Sequence, residues 1–156
     1  MHYAQITEEL KKVSFDFFYW FSRFEYLIKA QRLLKSEKIG DIAEPDWDKF
    51  VNKYKDKYHI TDEANKLINL HPKKQVVSRG DEFAWKPTGI AHCNNDLCKV
   101  VAMLRTLRNN LFHGGKHGDR EVDDIERNKQ LLKLGKIILD DLADRFNISG
   151  DYERVY

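Results

Sequence analysis

The stretch NNDLCKVVAMLRTLRNNLFHGG, residues 94–115, decides how this chain folds. Leu97, Val100, Val101, Leu104, Leu107 and Leu111 recur at helical spacing and form one apolar stripe at about 100° per residue. Asn94 or Asn95 opens the helix, and Gly114-Gly115 stops it near residue 113. Arg108 falls about 20° from Leu97 on the wheel, so its guanidinium is expected at or beside the buried face. A guanidinium there is costly unless paired, and Glu25 or an acidic residue of the last helix would serve as partner. Asn109 and His113 lie roughly 100–140° round from Arg108. One helix does not bring the three groups to a point, whereas two such helices crossing in a dimer would.

Outward from this helix, the same period recurs. Residues 3–36 read as one long helix, with Leu10, Val13, Phe17, Trp20, Phe21, Phe24, Leu27, Ile28 and Leu34 as its stripe. Phe15, Phe18, Tyr19 and Tyr26 fall outside that stripe, so this is either a central core helix or one whose second face meets a second copy. Residues 38–45 read as a turn. Pro45 and Asp46 then open a helix carrying Trp47, Phe50, Val51 and Tyr54, and Thr61 caps a short one. The last helix is expected from about 121 to 146, burying Ile125, Leu131, Leu134, Ile138, Leu142 and Phe146. Residues 71–92 show no sustained period, and a connection of that length is often functional. Its Lys73, Lys74, Arg79, Trp85 and Lys86 suit contact with a polyanion; the alternative is a surface loop whose Trp85 plugs an apolar gap.

The expected fold is all-α, an up-and-down bundle of four to five helices forming a single domain over 1–156. With 156 residues, 42% hydrophobic and 33% charged, the chain is long and apolar enough for one core. A net charge of +2 excludes a general polyanion binder, so any nucleic acid is met through a local site. Arg105, Arg108, Lys116 and Arg120 against the single acid Asp119 make such a site, with His117 inside it. Cys93 and Cys98 do not form a disulfide framework and, five residues apart on one helix, sit poorly for bridging. The reading is therefore a reducing, cytoplasmic setting. No apolar signal region heads the chain and no run of about 18 apolar residues exists, so neither export nor a membrane span is expected. His92, Cys93 and Cys98 lack a second ligand pair at useful spacing, so no metal and no cofactor is expected.

The run Arg108-Asn109-Asn110-Leu111-Phe112-His113 resembles the motif of the HEPN superfamily: an arginine, a polar residue directly after it, and a histidine a few residues on, at the end of a late helix with another helix following. The tail HGGK and the aromatic first helix FYWFSRFEYLIKA are similar to that family too. The resemblance implies a HEPN-like fold and a metal-independent endoribonuclease that works as a homodimer, its paired motifs facing one cleft. It also implies a toxin, with a cognate antitoxin, or a phage-defence effector. In toxins paired with a nucleotidyltransferase antitoxin a tyrosine stands two residues after the histidine; here that position is Gly115, which argues against regulation through such a tyrosine.

The residue types suit the chemistry. His113 can exchange protons near neutral pH, Arg108 can hold phosphate through paired donors, and Asn109 can orient the histidine or hold a phosphate oxygen. The substrate's own 2′-OH would be the nucleophile, so DNA should resist. Lys116, His117, Arg120, Arg105, Lys73, Lys74 and Arg79 are expected to bind RNA. Two alternatives share the same fold: a non-catalytic RNA- or nucleotide-binding module, and a helical dimerisation or interaction protein.

Overall fold

The computed structural model describes residues 6–80, 82–111 and 124–153, without the side chain of residue 151. The first helix, α1 (Glu8–Ala30), is shorter at both ends than its periodicity suggests. Thr7 caps it by accepting from the Leu10 N–H, and Glu8 and Glu9 favour the positive end of the dipole. It stops because Arg32 takes a left-handed conformation, φ 61°, after which Leu34 bridges to Pro45 in extended backbone. Asp46 caps α2 (Trp47–Tyr54), a 3-10 turn covers Lys55–Lys57, and Thr61 caps α3 (Asp62–Asn69).

Residues 71–92 depart from expectation. They contain an antiparallel hairpin, β1 (Lys73–Val77) paired with β2 (Phe83–Pro87), Gln75 opposite Trp85. The fold is thus mostly helical, roughly the expected all-α bundle, with a small two-stranded sheet added. The hairpin escapes a periodicity argument because each strand has only five residues and neither alternates cleanly. Two strands alone are marginal in water, and this pair leans on a helix. Thr88 and Thr106 hydroxyls meet at 2.9 Å, and Asn110 donates from its amide to the Lys73 carbonyl.

The helix carrying Thr106 and Asn110 is α4 (Asp96–Leu111); just before it, the Asn95 side chain accepts from the Cys98 N–H. Asp124 caps α5 (Ile125–Arg145), and a short turn, α6 (Ser149–Tyr152), closes the described chain. Expected helix positions at 121–123 and the Gly114-Gly115 stop lie outside the described residues.

The core joins α1, α2, α4 and α5. Phe24 stacks on Trp47, and Tyr54 stacks on Phe146 with ring centres 4.3 Å apart. Gly135 lets α5 approach closely: a Cβ there would stand 2.6 Å from Phe17 Cε2 and 3.0 Å from Leu107 Cδ1. Lys129 is buried for most of its length and reaches Glu9 at 2.7 Å and Glu126 at 2.6 Å. Lys129 and Lys133 together hold the Glu9 carboxyl down at about 2, through hydrogen bonds first and charge second. No described helix is long and apolar enough to cross a membrane.

Candidate functional site

The buried side of α4 turns as the helix proceeds. In the first half Leu97, Val100 and Val101 are buried, as their stripe requires, together with Met103. In the second half the buried residues are Leu104, Thr106 and Leu107, with Asn110 and Leu111 half-buried. On the helical wheel the centre of burial has moved by roughly 60°. The cause is the hairpin, which occupies the side of α4 that Thr106 and Asn110 face.

This rotation corrects the expectation for Arg108. Its wheel position lies within the first half's stripe, yet Arg108 is exposed, because the packing partners have moved round by the time the chain reaches it. Glu25, the expected partner, accepts instead from the Trp47 indole at 3.4 Å. Among the described residues Arg108 makes no ion pair; its guanidinium faces the Asn109 side-chain oxygen at 3.5 Å. Arg105 is also exposed, and Arg105, Arg108 and Asn109 fall within roughly 100° of one another. After Asp96 the described helix carries no acid, so this face presents two guanidinium groups and one amide. Such a face can take a phosphate through paired charge-assisted hydrogen bonds. His113, Lys116, His117 and Arg120 lie outside the described residues.

The hairpin brings further cations. Lys74 stands directly opposite Lys86 across the strands, both exposed, and Arg79 is exposed at the tip. Like charges in that position repel unless an anion lies between them. Lys73 is half-buried, and its carbonyl is the anchor for Asn110. Sequence reasoning missed Asn110 and also Arg127, whose guanidinium donates to the Leu70 carbonyl at 2.7 Å and clamps the hairpin's approach to α5. An Asn-Asn pair at a helix end was the available sign for the first; nothing marked the second.

Beside this end of α4 an apolar cavity of about 360 Å³ opens between α1, α4 and α5. Leu10, Phe18, Leu107, Leu111, Leu131 and Leu132 contribute to its walls. It arises where three helices and the start of β1 meet, so no single periodic stripe could announce it.

At the opposite end of α4 the cysteine expectation is overturned. Cys93 and Cys98 form a disulfide, with Cα atoms 5.4 Å apart, well inside bridging range. The spacing misled because Cys93 precedes the helix, and the non-helical turn through Asn94 and Asn95 folds it back over the first turn of α4. The imidazole Nε2 of His92 lies 3.6 Å from Cys93 Sγ.

Comparison of the chain with protein-family models, with curated proteins and with solved structures finds no match, so the likeness to HEPN sequences rests on the residues themselves.

Proposed function

We propose that this protein is a metal-independent endoribonuclease of HEPN type. In this reading Arg108 binds the charge that develops on the scissile phosphate, Asn109 orients, and His113 moves the proton. The observation that carries the proposal is the exposed Arg108–Asn109 pair, which among the described residues has no carboxylate against it and no packing duty that would explain an arginine there. Arg105, together with Lys73, Lys74 and Arg79 on the hairpin, extends the cationic surface along which RNA would lie; Lys116, His117 and Arg120 are assigned to the same strand path.

The active form is a homodimer, with α4 of each copy near the two-fold axis so that both motifs share one cleft. Two such arginine faces repel one another unless a polyanion lies between them, which ties substrate to assembly. Phe15 and Tyr19, exposed and stacked on α1, supply apolar surface for the second copy. The proposed setting is the cytoplasm, as a toxin with a cognate antitoxin or as a phage-defence effector, where the Cys93–Cys98 disulfide would be open to reduction.

The test is incubation of the pure protein with RNA and a matched DNA in EDTA. Cleavage of RNA alone, leaving a 2′,3′-cyclic phosphate end, is the expected result. Equal cutting of DNA, or dependence on Mg²⁺, would overturn the mechanism. The facing Lys74 and Lys86 favour one other reading, an RNA-binding module without chemistry. RNA binding that persists with no cleavage by the wild type on any RNA would put that reading first.

A further inference from the structure

We propose that His92, Cys93 and Cys98, once the disulfide is reduced, form a three-ligand site for a zinc-type thiophilic ion, with water in the fourth position. The spacing in the sequence offers no second ligand pair, but the fold brings three donor atoms together. The two sulfurs and one imidazole nitrogen all lie within 4.8 Å of one another. A tetrahedral zinc ion with bonds of about 2.3 Å to sulfur and about 2.0 Å to nitrogen sets neighbouring N and S ligands roughly 3.5 Å apart. His92 Nε2 already stands 3.6 Å from Cys93 Sγ. Two sulfurs on the same ion lie about 3.8 Å apart, close to the separation of two sulfurs that touch without a bond.

The surroundings suit both states. Cys98 sits in the first turn of α4, on a rigid element that fixes its position in either state. Asn95 fixes that turn by accepting from the Cys98 N–H at 2.9 Å. The Cys93 N–H donates to the Ile90 carbonyl at 3.0 Å, which holds the other ligand in a tight turn. His92 is exposed and both cysteines are half-buried, so a reductant and an ion can reach them.

A dithiol reductant delivers two electrons and two protons, the Sγ–Sγ bond breaks to give two thiols, and the reductant closes to its own disulfide. Zn²⁺ then displaces the two thiol protons and takes both sulfurs and the His92 nitrogen. Metal and disulfide therefore exclude one another, and the ambient redox state selects between them. Cys98 lies ten residues from Arg108, about 15 Å along the helix, so the site braces the far end of α4 and takes no part in RNA chemistry.

Co²⁺ serves as the probe, because its tetrahedral thiolate complexes absorb by sulfur-to-metal charge transfer. The whole chain is reduced with a phosphine under nitrogen and titrated. The expected result is a charge-transfer band saturating at one Co²⁺ per chain, bleached by Zn²⁺ and missing from the oxidised protein. His92→Ala keeps both thiols and, with its side chain exposed, the fold; it should weaken Co²⁺ affinity by at least ~10-fold. Cys93→Ser with Cys98→Ser should abolish the band while circular dichroism stays helical. Reduced wild type with no band, or His92→Ala binding as tightly as wild type, would overturn the proposal.

Discussion

The two halves of α4 carry the same apolar period and end up in different surroundings. The first half is enclosed by its stripe, with Leu97, Val100 and Val101 buried. In the second half the stripe position taken by Arg108 faces solvent, while Thr106, outside the stripe, is buried. A helix buries whichever side its neighbours cover. Here the neighbour that changes is a hairpin held by Thr106 and Asn110. An arginine that reads as a core liability is instead an exposed cation beside the adjacent asparagine.

The most direct challenge to this difference is to mutate two neighbouring stripe positions of α4, one exposed and one buried. Arg108→Ala and His113→Ala should each reduce RNA cleavage by ~10²–10⁴-fold. Arg108→Ala should leave unfolding free energy within about 0.5 kcal/mol of wild type, because Arg108 is exposed and makes no ion pair among the described residues. Leu104→Ala should do the reverse, lowering stability by about 2–5 kcal/mol, since Leu104 is fully buried. Urea unfolding beside the cleavage assay checks both. Loss of stability in Arg108→Ala as large as in Leu104→Ala would mean that the two positions do not differ as described.

Gly135 probes the same contrast from the partner helix. A methyl group there meets Phe17 at 2.6 Å, closer than real Cβ atoms come, and Leu107 at a tight 3.0 Å. Gly135→Ala, although it favours the helix intrinsically, should destabilise by about 1–3 kcal/mol through overpacking, read as a lower urea midpoint.

A smaller effect is expected on the hairpin that turns the burial. Replacing Lys73, Lys74 and Arg79 by alanine should weaken RNA binding and flatten its dependence on salt. On single strands the slope should fall by about 0.7 for each phosphate that is no longer neutralised. The cleavage step at saturating RNA should be unchanged. An unaltered salt slope would remove the hairpin from the binding surface.

The smallest effect is at Glu9, where α1 meets α5. Its carboxyl is held at about 2, below the usual 4.5, by Lys129 and Lys133. The folded state therefore favours the ionised form, and the resulting stability is present above about pH 4.5 and lost as pH falls towards 2. Glu9→Gln should lower the thermal midpoint slightly at pH 7, with the gap to wild type closing by about pH 2 and shrinking in high salt. A gap that stays constant from pH 7 to pH 2 would show that Glu9 acts by packing instead.

The helices whose signals are local could be read from the chain alone. Asp46, Thr61 and Asn95 cap where short polar side chains should, because a cap needs only the next few backbone N–H groups. The stripes of α1 and α5 follow from the helical period, and the Arg108-Asn109 pair was legible as a candidate because its residue types suit phosphate. Features that depend on a distant partner were settled only by tertiary packing. The hairpin exists because α4 supports it, Arg108 is exposed because that hairpin draws the buried side away, and Cys93 meets Cys98 because the turn before α4 doubles back. Periodicity records which faces of an element are apolar; which of them is covered at a given turn depends on segments far along the chain, and no local pattern encodes their arrival.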